Sequence, residues 1–179
     1  MNEREIVEFW GSENLTRWSL EAVRDLRISE TSKSFLMTVG LPSPRHDRLW
    51  EYDFNCGQPS RVSGEEHLVV VMSLPRPFCI DEKRDNSIVA PYVEKDMERF
   101  VNSTVEQFVA FLTVFERGRQ EMRRLGNTEQ EPCRKVISEM EGRMKNIDPA
   151  ALEGEENYWS VVLEDMRYPY LTDAELDAL

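Results

Sequence analysis

The sequence predicts an α+β fold: N-terminal helices, a mostly antiparallel sheet of about five strands, then C-terminal helices packed on it. Three observations carry this. Apolar residues recur at helical spacing before Gly40 and again after Ser103. Between Leu49 and Val101 the period shortens to two, or the apolar runs are brief and bounded by charge, proline and turn residues. The uninterrupted apolar run Leu68 to Met72 is five residues long and no run is longer, far short of the roughly 20 residues that cross a bilayer. A chain of 179 residues, 40% hydrophobic, fits one domain, 1–179, that closes its core without disulfides or a structural metal.

Residues 2–39 read as helices. Ile6, Val7 and Trp10 share one face, and Ser19 caps a second short helix with Trp18 and Val23 stapling its start. In the third helix Phe35, Leu36 and Val39 face the core. Gly40 supplies a left-handed stop, Leu41 folds back on Leu36, and Pro42 forbids continuation. Trp50, Tyr52 and Phe54 then alternate with Glu51 and Asp53 as in a half-buried strand. HLVVVMSL lacks alternation and suits a central strand covered on both faces. PFCID and SIVAPYV form a hairpin through Arg84, Asp85 and Asn86, with Pro91 marking an edge or a strand end. A last strand ends near Phe100 and Val101. Ser103 and Glu106 read as a capping box opening the main core helix, whose stripe is Val105, Phe108, Val109, Leu112 and Phe115. Cys133, Val136, Ile137, Met140 and Met144 give a further amphipathic helix, and Trp159, Val162, Leu163 and Met166 another. An acidic loop, NIDPAALEGEEN, joins these two.

Charge and cysteine usage narrow the function. The net charge is −12, and the segment from Asp148 to Leu179 holds nine acids against one base. Such a surface repels nucleic-acid phosphates and anionic lipid and favours a basic partner, so neither nucleic acid nor membrane is expected as a partner. The N-terminus carries four charges in its first eight residues and no apolar signal core, which points to the cytoplasm. Cys56, Cys79 and Cys133 cannot all pair within one chain and read as reduced structural thiols. The triplets Asn14-Leu15-Thr16 and Asn102-Ser103-Thr104 read as local capping.

Catalytic apparatus is hard to find. His46 and His67, the two histidines, lack a second histidine or cysteine at ligand spacing and read as solvated loop residues. The eight glycines are scattered, so no phosphate loop is present. Asp81-Glu82-Lys83 at a strand end, with Asp53 nearby, is an arrangement that some magnesium nucleases use, and a strand running into a polar turn explains it equally well. Arg117, Arg119, Arg123 and Arg124 form the one basic cluster, with Phe115 as a stacking group on a nucleic-acid reading. Phe115 fits the buried stripe, however, and arginines complement a helix C-terminus. No catalytic residue, cofactor or metal ligand is therefore assigned.

The order of these features resembles the SUKH superfamily of bacterial immunity proteins, particularly its fourth subfamily, relatives of the fungal Smi/Knr cell-wall regulators. FLMTVGLP looks like a first block, a helix entering Gly-Leu-Pro. FVNSTVEQFVAFL looks like a second, a strand ending in Asn-Ser before a helix with spaced phenylalanines. ENYWSVVLEDM looks like a third, a tryptophan opening a late helix. The resemblance covers roughly residues 15–167 and leaves 168–179 as a C-terminal extension. The matching residues, Phe35, Leu36, Gly40, Leu41, Pro42, Asn102, Ser103, Phe108 and Trp159, read as fold-specifying, with Asn102 and Ser103 capping a helix. The chain departs from the pattern at the hairpin, where Asp81 to Asp85 replace a glycine turn.

The resemblance implies a non-catalytic immunity protein that neutralises a cognate polymorphic toxin, a nuclease with a basic cleft, by direct contact. A regulatory adaptor binding cellular proteins is the alternative, and a metal-dependent nuclease a third. For the partner surface, the expectation is an acidic rim of Asp148, Glu153, Glu155, Glu156, Glu164 and Asp165. The turn at Asp81, Glu82 and Asp85 is a second candidate.

Overall fold

The computed structural model describes residues 1–43, 53–54, 60–62, 67–72, 77–92, 97–126 and 130–168. Helix α1 (Glu3–Trp10) opens on a capping box. Asn2 Oδ1 accepts from the Glu5 amide at 3.0 Å, and Glu5 Oε2 accepts from the Asn2 amide at 2.7 Å. Past its end Asn14 Nδ2 donates to the Trp10 carbonyl at 3.0 Å. The segment up to residue 39 is not all helix, because β1 (Leu15–Thr16) pairs antiparallel with β2 (Leu41–Pro42). Two residues are too few to display a period. Ser19 caps α2 (Leu20–Arg24), and Ser29 caps α3 (Glu30–Thr38), each hydroxyl accepting from the amide three residues on. Gly40 follows α3 at φ +84°, while its amide and that of Val39 both donate to the Phe35 carbonyl at 2.9 Å. A β-carbon there would stand 2.3 Å from the Thr16 carbonyl oxygen, so the β1 backbone also requires glycine.

Six strands make the main sheet: β3 (Asp53–Phe54), β4 (Arg61–Val62), β5 (His67–Met72), β6 (Phe78–Asp81), β7 (Ile88–Tyr92) and β8 (Met97–Asn102). Their order is β3-β5-β6-β7-β8, with β4 also on β5, and every pairing is antiparallel. Strand β5 is central, with Leu68 to Val71 all buried. Its alternate residues serve two cores. Leu68 and Val70 join Ile80, Ile88, Ala90 and Val101 in the main one, whereas Val69, Cys79 and Val89 cluster separately on the other face. A register shift between Val69 and Val71 places Val71 opposite Phe78 and turns both into the main core. Pro91 lies in a strand paired on both sides, but β6 reaches only Val89, so at Pro91 β7 pairs with β8 alone. The missing donor costs no ladder bond there. Of the run expected to alternate, Trp50 and Tyr52 fall outside the described residues, as do His46 and Cys56.

Three helices close the fold: α4 (Val105–Arg124), α5 (Gln130–Ile147) and α6 (Tyr158–Arg167), with a 3₁₀ turn at Pro149–Leu152. The start of α4 departs from expectation. Thr104, not Ser103, is the N-cap, its hydroxyl accepting from the Gln107 amide at 3.2 Å. Nor is α4 amphipathic along its first three turns, because Val105 and Phe108 through Glu116 are all buried. It is the central helix, covered on every side. Trp10 of α1 donates to Thr113 at 2.9 Å, Gly118 admits the Met140 side chain of α5, and Phe108 meets the Phe78 ring edge-on at 5.7 Å. The main core is continuous from Ile6 to Leu163. No helix among the described residues is long and apolar enough to cross a membrane.

Candidate functional site

The residues ahead of α6 are organised by a carboxylate that the sequence placed on the surface. Asp148 is only 2% exposed. Its Oδ2 accepts from the Ser103 amide at 2.8 Å and from Asn102 Nδ2 at 3.1 Å, and its Oδ1 accepts from the Ser103 hydroxyl at 2.9 Å. Asn102 Oδ1 in turn accepts from the Trp159 indole at 2.9 Å. Asp148 is therefore not a rim residue, and Asn102 and Ser103 do not cap α4. All three join the end of β8 to the connection between α5 and α6. A buried ion is tolerable there because three donors serve it.

Around this knot the backbone is tied twice more. Gln107 Nε2 donates to the Ile147 carbonyl at 3.0 Å, and Asn157 Nδ2 to the Ala150 carbonyl at 2.9 Å. Trp159 is fully buried between Phe111 and Phe115, each ring centroid 5.5 Å away. On this fixed base Glu153, Glu155 and Glu156 are exposed, and Glu164 and Asp165 are exposed on α6. Arg99 of β8 reaches Glu156 at 3.5 Å. Glu156 is nearly fully exposed, so solvent screens the pair and it contributes little. The five carboxylates can meet a cationic surface without rearrangement of the chain beneath them.

The hairpin turn is built differently. Asp81 is 3% exposed, its Oδ1 accepting from the Lys83 amide at 2.8 Å. Glu82 accepts from the Arg27 amide at 2.9 Å and from Arg61 at 2.5 and 3.0 Å. Burial pushes the Glu82 carboxyl up, but the hydrogen bonds from Arg61 and the Arg27 amide, with both guanidinium charges, outweigh it and hold it below the usual carboxylate range. Asp85 and Asn86 sit at φ 51° and 62°, and Asn86 Oδ1 accepts from the Ser29 amide at 2.7 Å. The turn thus docks on the segment between α2 and α3. Glu82 is spent on that contact and Asp81 accepts within the turn itself, while Asp85 is exposed.

The arginine cluster is also engaged. Arg117 lies over the Phe9 ring and Arg119 over Phe115, while Arg123 meets the buried Glu116 at 3.5 Å and Arg124 pairs with Glu121 at 2.7 Å. Cys79 and Cys133 are free and buried, and burial, with the Glu98 carboxylate adding to it, pushes the Cys79 thiol up to about 12. His67 opens β5, as the run HLVVVMSL predicts, but it is not solvated: it is 5% exposed. Its polar neighbours in sequence, Glu65 and Glu66, concealed this.

The chain is an α+β scaffold that carries exposed carboxylates on an internally tied base. The model of the family described as SUKH-4 immunity protein matches residues 1–165, and the chain belongs to that family. No curated protein and no solved structure matches it.

Proposed function

We propose that the chain neutralises a cognate bacterial polymorphic toxin, a nuclease with a basic cleft, by direct contact and without catalysis. The observation that carries this reading is the set of exposed carboxylates Glu153, Glu155, Glu156, Glu164 and Asp165 on the segment and helix that follow Asp148, a member of the knot with Asn102, Ser103 and Trp159. Family membership supplies the immunity role. A net charge of −12 supplies long-range attraction to a cation-rich cleft and so a fast encounter. Rigidity of the base keeps the ordering cost of binding low. The producer cell's cytoplasm is where such a pair would meet.

The test is co-expression with the toxin domains encoded beside the gene, followed by pull-down and by a nuclease assay of the purified pair. Stoichiometric capture with loss of nuclease activity supports the reading. A captured toxin whose activity is untouched would reject neutralisation by contact, and no capture of any neighbouring toxin domain would reject immunity.

A further inference from the structure

A second polar cluster lies on the sheet face that carries Val69, Cys79 and Val89. His67 on β5 is directly opposite Asp81 on β6, and Glu98 on β8 reaches toward them. One ligand atom from each of the three lies within 4.8 Å of the others. His67 Nε2 is 2.9 Å from Glu98 Oε1, yet neither that nitrogen nor Nδ1 makes a hydrogen bond among the described residues. The carboxylate is therefore close to the imidazole but out of line with its ring N–H. A side chain only 6% exposed with both ring nitrogens unserved would cost about 1–3 kcal/mol per orphaned group if nothing else bound there.

We propose that His67, Asp81 and Glu98 bind a divalent transition ion of the zinc class, with a fourth position left to water. Two ligands about 2.1 Å from a shared tetrahedral ion stand roughly 3.4 Å apart. The His67–Glu98 pair, at 2.9 Å, stands about half an ångström inside that spacing, and rotation of the two carboxyl groups would bring all three ligand atoms to it. Off-axis approach of a carboxylate to an imidazole is what ligands of one ion show, since each points at the metal and not at the other. Charged and amide groups stand beside the carboxylates as an outer shell would, although Glu98 Oε2 makes no hydrogen bond among the described residues. Arg84 Nη1 is 2.6 Å from Glu98 Oε2, Arg84 Nε is 3.6 Å from Asp81 Oδ2, and the Lys83 amide takes Asp81 Oδ1. Arg84 is 68% exposed, so it covers the cluster from the solvent side without filling the imidazole's place. One nitrogen and two carboxylates suit zinc, cobalt or manganese better than magnesium, which prefers an all-oxygen set. The three ligands come from strands separated by intervening chain, so no ligand spacing announces them in sequence.

The experiment is titration of the chelator-treated full chain with ZnCl2 by calorimetry and with CoCl2 by visible absorption. One equivalent should bind, with cobalt d–d bands of a nitrogen/oxygen site and no thiolate charge-transfer band. His67→Gln and Glu98→Gln should each weaken binding at least tenfold while circular dichroism stays native. Should His67→Gln fail to fold, Glu98→Gln, altered at a side chain that is 20% exposed, decides the matter. Absence of zinc binding by the wild type, affinity unchanged in the folded variants, or a sulfur-to-cobalt band would each overturn the proposal.

Discussion

The Trp159 indole donates to Asn102 Oδ1 at 2.9 Å across 57 residues of sequence. Asn102 passes the contact on to Asp148, so the asparagine that ends the last strand and the tryptophan of the last helix belong to one buried network. Such a network couples its members, because removing one leaves the others unsatisfied in a low dielectric. Asn102→Ala strands the Trp159 N–H and removes one donor from Asp148. A loss of about 2–4 kcal/mol in urea denaturation is expected. A loss below about 1 kcal/mol would show that water serves both groups.

Gly40→Val meets two obstacles. The backbone holds φ +84°, and the new side chain points at the Thr16 carbonyl from 2.3 Å. Strain and clash together should cost more than about 2 kcal/mol, read as a clear fall in melting temperature. An unchanged melting temperature would contradict the helix-stop geometry.

Gly118→Ala separates helix propensity from packing. On propensity alone alanine gains about 1 kcal/mol in a helix interior. Here the added carbon would fall 1.9 Å from Met140 Sδ and 2.6 Å from Met140 Cγ. Net destabilisation of about 1–3 kcal/mol is expected, and the double variant with Met140→Ala should lose less than the sum of the singles. Simple additivity would place the strain elsewhere.

Purified protein with magnesium, manganese or zinc should leave RNA and DNA intact. Asp81 is buried, Glu82 is bound by Arg27 and Arg61, and Lys83 is exposed, so Asp81-Glu82-Lys83 does not assemble around a substrate. Cleavage abolished by Lys83→Ala would reverse this reading.

Features with local causes were legible in the sequence. Ser19 and Gly40 act within a few residues of themselves, and LVVV without alternation, bounded by charge and proline, suits a strand with apolar cover on both sides. The carboxylates were harder, since an acidic count does not distinguish a solvated group from a bound one. Asp148 looks like its neighbours Glu153 and Glu155, and only its partners at Asn102 and Ser103, more than forty residues earlier, reveal its place. The same distance problem hid the true cap of α4. Ser103 is a plausible cap by type, but Asp148 engages it first and Thr104 takes the role. His67 was misplaced because burial of a strand end depends on β6 and β8, which its neighbours in sequence do not encode.

The most direct measurement compares association of a captured toxin with the wild type and with the Glu153→Lys, Glu155→Lys, Glu156→Lys triple variant. Each reversal changes the charge by two, taking the chain from −12 to −6 while leaving the buried knot untouched. At low ionic strength the variant should associate at least tenfold more slowly, and the difference should shrink as salt shortens the Debye length. Equal association rates at low salt, with circular dichroism native, would contradict a toxin contact at this rim.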